Sequence, residues 1–243
     1  MQDNYVGDIG DYGKYGLLRT VCSVGLTLSV NWYKVTPKKI GKQDDGKYIN
    51  YLFKPRNYRE YDPSLFDALR KIVCTENNRR IKRIEQEGLF KAKFFTDDVD
   101  TKNRTMWHTN SLVQTGDTGT VFLDPDNGLE TLNMFHNNSA SEKHVKWLEL
   151  NDYYIRGQNV ILYQHRPQMT TKQSCIDSIM FFQYNYLKAD CVRLLEFPKF
   201  TNRFYFMFIH KKAEKQFENV CNLMVQKWEK EDFCKETVIW NGK

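Results

Sequence analysis

The sequence predicts a single α/β domain over residues 1–243, with a mostly parallel central sheet flanked by helices. Short runs rich in β-branched and aromatic residues alternate with longer segments whose apolar residues recur at helical spacing. With 243 residues and 41% hydrophobic residues, the chain is long enough to bury one large core. No internal repeat, low-complexity tract or flexible linker suggests a division into domains.

The first half of the predicted fold places helices around one strand. Four glycines punctuate residues 5–19 (YVGDIGDYGKYGLLR) and predict a loop that leads into a helix. Residues 26–35 (LTLSVNWYKV) are rich in β-branched and aromatic residues and indicate the first strand. A helix is predicted over residues 62–73, where an Asp-Pro pair opens it. A second helix is predicted within residues 77–90 and should end near Gly88.

The second half alternates strands and helices more regularly. Residues 120–123 (TVFL) indicate a short buried strand, and residues 141–156 a helix capped by Ser141 and ended by Gly157. The remaining predicted elements are a strand at 158–167, a helix at 171–187, strands at 191–197 and 203–210, an amphipathic helix at 211–231 and a strand at 236–240. Alternation of this kind predicts the largely parallel sheet.

Charge and cysteine usage limit the classes of partner and compartment. A net charge of +6 is compatible with a polyanionic partner, although solvated lysines alone would produce it too. The six cysteines lack CxxC or CxxH spacing, no secretory signal opens the chain, and no run of 18 apolar residues occurs. We therefore expect a cytoplasmic protein without a membrane partner.

The first polar cluster, Asp124-Pro125-Asp126-Asn127-Gly128, follows the TVFL strand. Open α/β sheets place their chemistry at the carboxyl ends of strands. Asp124 or Asp126 is suited to activating a water or stabilising positive charge, and Asn127 to reading a base edge. An Asx-type turn is the alternative explanation of the same residues.

The second polar cluster, Gln164-His165-Arg166, follows the next strand. His165 is a candidate acid, base or oxyanion donor, Gln164 a candidate substrate contact and Arg166 a candidate phosphate contact. A purely structural histidine is the alternative. The other histidines show no metal spacing, so no metal site is predicted, and carboxylates with Mg²⁺ stay open as an alternative.

Residues 5–19 carry the third cluster. Glycines let a backbone approach a ligand closely, and a helix amino end favours anions. Tyr12 and Tyr15 are suited to stacking on bases and Lys14 or Arg19 to contacting phosphate, while Asp8 and Asp11 add carboxylates. The alternative is a tight turn that caps a helix and buries its tyrosines.

Basic and aromatic residues complete the candidate site. Asn31 and Trp32, at the end of the first strand, are expected to contact substrate, or else to belong to the core. The basic run Arg79, Arg80, Lys82 and Arg83 on one helix is suited to following a phosphate backbone, although a solvated helix face is the preferred interpretation. The predicted DNA-binding set is Arg19, Arg79, Arg80, Arg83, Arg166 and Arg203.

The layout resembles the Rossmann-type nucleic-acid methyltransferases, particularly the bacterial large-subunit rRNA adenine-N6 methyltransferases, over roughly residues 5–210. Asp124-Pro125 matches the first half of their D/N-P-P-Y motif, and residues 194–210 (LLEFPKFTNRFYFMFIH) resemble their closing antiparallel hairpin. The resemblance implies a Rossmann-like, methyltransferase-like topology. Two departures weigh against methyl transfer: residues 36–39 (TPKK) replace a glycine-rich cofactor loop, and Asp126-Asn127 replaces Pro-Tyr.

The strand-end motifs FLDPDNG and YQHRP are similar, in kind and order, to those of uracil-DNA-glycosylase-type enzymes. The missing cofactor loop, the acidic crevice and the small basic chain together resemble the anti-phage DNA glycosylases that excise glucosylated hydroxymethylcytosine from phage genomes. That resemblance implies a cofactor-free hydrolase that extrudes a modified base from phage DNA and cleaves its N-glycosidic bond through an oxocarbenium-like state.

The same resemblance implies roles for individual residues. Asp124 or Asp126 orients water or stabilises the sugar cation, and His165 stabilises the leaving base. Asp8, Asp11 and Asn127 hydrogen-bond the base or a sugar attached to it. The alternatives are an S-adenosylmethionine-dependent nucleic-acid methyltransferase with an atypical cofactor loop, a metal-dependent nuclease using the four aspartates, and a non-enzymatic nucleic-acid-binding module.

Overall fold

The computed structural model describes residues 1–36, 46–166, 170–199, 202–230 and 233–240. Within these ranges the α-helices are α1 (Ile9–Ser23), α2 (Pro55–Tyr58), α3 (Pro63–Arg70), α4 (Ile81–Glu87), α5 (Arg104–Thr115), α6 (Leu132–His136), α7 (Trp147–Ile155), α8 (Lys172–Phe182) and α9 (Glu214–Trp228). The strands are β1 (Leu28–Asn31), β2 (Ala92–Phe95), β3 (Thr120–Leu123), β4 (Gly128–Leu129), β5 (His144–Val145), β6 (Asn159–His165), β7 (Cys191–Phe197), β8 (Arg203–Ile209) and β9 (Lys235–Trp240). Short 3-10 turns lie at Asp3–Tyr5, Asn50–Phe53 and Lys211–Ala213, and π-helical turns extend α3 and α8 at Lys71–Thr75 and Gln183–Leu187.

Seven strands form one sheet in the order β2-β1-β3-β6-β8-β7-β9, and β4 and β5 form a separate small sheet. The α/β class is confirmed, but the sheet is mixed. The pairs joining β2, β1, β3 and β6 are parallel, whereas those joining β6, β8, β7 and β9 are antiparallel. The prediction of a mostly parallel sheet is therefore wrong. The connection from Phe197 to Arg203 is too short for a crossover, so β7 and β8 pair as the expected hairpin.

Both faces of the sheet are covered, because strand side chains alternate between them. In β3, Phe122 packs in a cluster with residues of α1, α3, α4 and α9, such as Leu17 and Met224. Its neighbours Val121 and Leu123 pack in a second cluster with residues of α5, α7 and α8. The sheet therefore lies between two layers of helices.

Helix α1 begins at Ile9, so the predicted glycine-rich loop is wrong. Asp8 caps it by accepting hydrogen bonds from the amides of Gly10 and Asp11. A methyl group at Gly13 would overlap the ring of Phe197, and one at Gly16 would overlap Trp228. These glycines serve close packing of α1, which offsets the usual cost of about 1 kcal/mol for glycine within a helix.

Helix α7 begins at Trp147 rather than near Ser141. His144–Val145 forms β5, which pairs with β4, and the amide of Trp147 donates to the Glu130 carboxylate at 2.6 Å.

Two other predicted elements are shorter than expected, since β1 ends at Asn31 and α4 starts at Ile81. Strands β6, β7, β8 and β9 agree with the predicted ones to within two residues. Across the described residues, no helix combines the length and apolarity that crossing a bilayer requires.

Candidate functional site

A pocket of about 290 Å³ opens at one edge of the sheet, on the face covered by α1. At this edge β3 and β6 end and β8 begins. Open α/β sheets carry their functional sites at the carboxyl ends of their strands, so this is the position expected for such a site. Eight predicted site residues line this pocket: Asp8, Asp11, Lys14, Asp124, Asp126, Asn127, His165 and Arg203. Sequence positions far apart are thus brought together.

Four of these residues, Asp8, Asp11, Asp124 and Asp126, form an acidic wall. At its centre the ammonium of Lys14, only 4% exposed, lies 2.8 Å from Asp11 Oδ1 and 2.7 Å from Asp124 Oδ2. Burial alone lowers the pKa of Lys14, but the two carboxylates outweigh it and raise that pKa. Lys14 is therefore a permanent cation that ties α1 to the end of β3.

Asp11 is saturated with partners. Its Oδ2 accepts hydrogen bonds from the Gly7 amide at 3.1 Å and the Tyr15 hydroxyl at 2.9 Å, while Oδ1 pairs with Lys14. Asp124 is less fully occupied, because its Oδ1 accepts no hydrogen bond from any residue in the described ranges. Asp11 thus holds the wall in place, and Asp124 keeps one oxygen for a ligand.

Burial raises the pKa values of Asp124 and Asp8. At Asp124, the ammonium of Lys14 and the amino group of Met1 offset this effect only in part. At Asp8, the opposing charge of Arg203, 3.4 Å away, is likewise insufficient. Both carboxylates are consequently stronger bases than exposed aspartates.

Asp126 differs from the other acidic residues of the wall. Burial acts to raise its pKa, but the amino group of Met1, 2.9 Å from Oδ1, and the amide of Gln2, 2.6 Å from Oδ2, bring that pKa below its ordinary value. Asp126 is therefore a fixed anion beside the more basic Asp124.

The opposite side of the pocket is a donor wall made of Tyr163, His165, Arg203 and Tyr205. In the register of β6 and β8, Tyr163 lies opposite Tyr205 and His165 opposite Arg203. Side chains two residues apart on a strand share a face, so all four point to the α1 side. The two tyrosines were missed from the sequence, although their spacing from His165 and Arg203 carries this signal.

The donor wall has few internal partners. Among the described residues, the Arg203 guanidinium makes a single polar contact, 3.4 Å to Asp8, and the fully buried hydroxyl of Tyr205 has no hydrogen-bond partner. Burial, and then the charges of Arg203 and Arg166, lower the pKa of His165 below its usual 6.5. The imidazole is therefore neutral at pH 7.

Asn127 stands at the rim of the pocket. Its side chain is exposed and lies 3.3 Å from His144 Nε2. Its carbonyl accepts hydrogen bonds from the His165 amide and from Gln164 Nε2. Gln164 itself points to the other face of the sheet, so it supports the rim and does not line the pocket.

Three predicted ligand contacts belong to the interior. Tyr12 is fully buried, stacks on Tyr51 and donates its hydroxyl hydrogen to the Tyr58 carbonyl at 2.8 Å. Trp32 is equally buried, with its indole N–H donating to Glu85, and Asn31 donates to the Tyr153 hydroxyl. For these residues the structure agrees with the packing alternative.

The predicted DNA-binding arginines serve different purposes. Arg19 contacts Asp62, Ser64 and the Leu89 carbonyl, which fastens α1 to the start of α3. Arg79 donates to the carbonyls of Val6 and Gly46, and Arg83 pairs with Glu76 and Glu87. Arg80 is exposed, and Arg166 lies half-buried at the end of β6.

A second cavity of about 350 Å³ lies on the opposite face of the sheet, separated from the first by Gln164 and the 127–129 segment. Its lining includes Glu130, Trp147, Ser174, Cys175 and Phe181.

Within the described part of the chain, no group of three His, Cys, Asp or Glu side chains is arranged to hold a metal ion. Residues 37–39 of the TPKK segment and Pro167 of the YQHRP motif lie outside the described residues.

Comparison with known proteins does not identify the chain. No protein-family model matches it, and no curated protein is significantly similar to it. Its function is therefore inferred from the pocket.

Proposed function

We propose that this protein is a DNA glycosylase that hydrolyses the N-glycosidic bond of a modified base, leaving an abasic site. The candidate base is glucosylated hydroxymethylcytosine in phage DNA, and the setting is cytoplasmic antiviral defence. One observation carries the proposal: Asp124, with a raised pKa and a free oxygen, shares a pocket with the anionic Asp126 and a neutral His165. Its volume, about 290 Å³, suits a single extruded nucleoside.

The proposed reaction breaks the bond between C1′ and the base nitrogen, and the electron pair leaves with the base. Positive charge develops on the sugar, where the carboxylates of Asp124 and Asp126 stabilise it. A water molecule attacks C1′ and gives its proton to Asp124, whose Oδ2 is held by Lys14 while Oδ1 accepts no hydrogen bond from a described residue. A solvent proton neutralises the released base.

His165 and Asn127 take supporting roles in this proposal. The neutral imidazole of His165 donates a hydrogen bond to the leaving base as negative charge develops on it. Asn127, exposed at the rim, contacts the base or its attached sugar. Arg166, beside the pocket, and the exposed Arg80 are the predicted arginines best placed to contact phosphates.

A methyltransferase-like scaffold is the finer fold proposal, supported by the parallel strands β1, β3 and β6 followed by the β7–β8 hairpin. Methyl transfer fits the residues less well. Directly after β1, Trp32 and Tyr33 are fully buried, and their carbonyls accept hydrogen bonds from the amino group of Met1. Bulky residues with hydrogen-bonded carbonyls stand where the methionine end of S-adenosylmethionine would need room, so the residues present do not fit that cofactor.

The nuclease alternative needs a divalent cation between carboxylates. Lys14 already lies between Asp11 and Asp124, at 2.8 and 2.7 Å, and its ammonium occupies the position between these two carboxylates. The arrangement therefore favours glycosidic cleavage over metal-assisted phosphodiester cleavage.

The experiment uses purified protein, without added cofactor or metal, on phage DNA with glucosylated cytosines and on unmodified DNA. Mass spectrometry measures released base, and alkali reveals abasic sites. We expect base release from the modified DNA alone. Intact DNA from both substrates would overturn the proposal, and cleavage that EDTA abolishes would support a nuclease instead.

A further inference from the structure

We propose that the donor wall is a binding site for the carbonyl oxygen of a neutral heterocyclic ligand, with the Tyr205 hydroxyl as its principal donor. This rests on the proposed glycosylase function and deepens it, because it assigns recognition of the base to the donor wall, of which only His165 also takes part in bond cleavage. It concerns binding alone and is tested separately from turnover.

The first observation is the Tyr205 hydroxyl itself. Tyr205 lines the pocket, is fully buried, and has no hydrogen-bond partner for its hydroxyl among the described residues. Native proteins leave few buried polar atoms unpaired, because burial removes water without replacing its hydrogen bonds. An unpaired hydroxyl at a pocket points to a ligand that completes it.

The second observation is that three further donors share the face of Tyr205. Tyr163 is its cross-strand partner, with ring centroids 5.8 Å apart, and the next pair joins His165 to Arg203. Burial raises the pKa of Tyr163 to about 12 and that of Tyr205 well above 10, so both phenols keep their hydrogen. The guanidinium of Arg203 has N–H groups to spare beyond its one contact with Asp8.

The charge of the pocket distinguishes a carbonyl from a phosphate. The four carboxylates of the acidic wall face four cations among the residues that line the pocket: Lys14, Lys143, Arg203 and the amino group of Met1. Lys14 is already shared by two of those carboxylates. A phosphate dianion would meet repulsion that a neutral carbonyl does not. A pocket whose cations are already balanced by its own carboxylates thus favours an uncharged acceptor.

The test compares cytosine with 4-aminopyrimidine, which lacks the carbonyl oxygen, and with inorganic phosphate. Binding to the full chain is measured by ligand-observed NMR. Wild-type protein should bind cytosine about tenfold more tightly than 4-aminopyrimidine. Tyr205→Phe should remove most of that preference, while Tyr184→Phe, which alters an exposed tyrosine far from the wall, should keep it.

Three results would overturn the inference: no cytosine binding, an unchanged preference in Tyr205→Phe, or phosphate displacing cytosine from the pocket. Its failure is distinguishable from that of the proposed function. A carbonyl preference that depends on Tyr205, without any base release from DNA, would uphold the site and reject the glycosylase. Base release from DNA without such a preference would reject the binding site and uphold the glycosylase.

Discussion

The two walls of the pocket differ in how far their polar groups are satisfied within the protein. On the acidic wall, Lys14 bridges two carboxylates and Asp11 has a partner for each oxygen. On the donor wall, the described part of the chain offers no partner to the Tyr205 hydroxyl and one long contact to Arg203. Saturated groups hold geometry, whereas unsaturated ones, which on the acidic wall include Asp124 Oδ1, are available to a ligand. We therefore expect substitutions at Lys14 and at Tyr205 to differ strongly in their effect on stability.

The largest expected effect on stability is at the centre of the acidic wall. Lys14→Met leaves the buried Asp11 and Asp124 without their shared cation, and breaking such a pair costs about 3–5 kcal/mol. Chemical denaturation measures the free energy of unfolding. Lys34→Met, which removes the partly exposed pair with Asp98, is the control and should cost at most about 1 kcal/mol. Equal losses in the two variants would show that the central pair does not hold the wall.

The next effect concerns the packing that positions the acidic wall. In Gly16→Ala the new methyl group overlaps the Trp228 ring of α9, and we expect a loss of about 1–3 kcal/mol. In the control, Gly119→Ala, the added methyl meets Thr27 at an ordinary contact distance of 3.4 Å. Thermal melting compares the two. A Gly16→Ala variant as stable as the control would refute close packing as the reason for this glycine.

A smaller effect on stability concerns His165 of the donor wall, because its pKa is lower than that of an exposed histidine. Its folded pKa lies below the unfolded value near 6.5, so its contribution to stability is present above that value and is lost as pH falls through the folded pKa. NMR titration of the imidazole should give a midpoint below 6.5, and base release should persist at pH 7. A midpoint at or above 6.5 would contradict the neutral donor assigned here.

The smallest expected effect on stability is on the donor wall. Tyr205→Phe removes an unpaired hydroxyl, so the free energy of unfolding should change by no more than about 0.5 kcal/mol or should rise. Tyr153→Phe is the matched control, because its hydroxyl accepts a hydrogen bond from Asn31 and bonds Ser111, and we expect it to cost about 1 kcal/mol. A larger loss in Tyr205→Phe than in Tyr153→Phe would mean that the wall is satisfied within the protein.

Local sequence signals predicted the strand ends and therefore much of the site. The polar residues after β3 and β6 could be placed together because parallel strands share an edge. The glycines of α1 were misread, since spacing by three suits both a loop and a helix that packs closely against Phe197 and Trp228. That packing depends on residues about 180 positions away or more, which no local pattern reveals.

Two further features lay beyond local reasoning. The insertion of β8 between β6 and β7 makes the sheet mixed, and it depends on tertiary pairing that strand patterns alone do not specify. It also places Tyr163 opposite Tyr205. Whether an aromatic residue stacks on a base or packs in the core depends on its burial, which a local sequence pattern does not specify. Tyr12 and Trp32 are both fully buried.

The central claim is that the acidic wall performs the chemistry, and it is tested most directly by base release from glucosylated phage DNA. Wild type, Asp124→Asn and Asp177→Asn are compared, the last replacing an exposed carboxylate outside this pocket that accepts a hydrogen bond from Gln173. We predict release by wild type and Asp177→Asn, and a loss of about a hundredfold or more in Asp124→Asn while the variant remains folded and binds the same DNA. Equal release by all three, or release by none, would contradict the account.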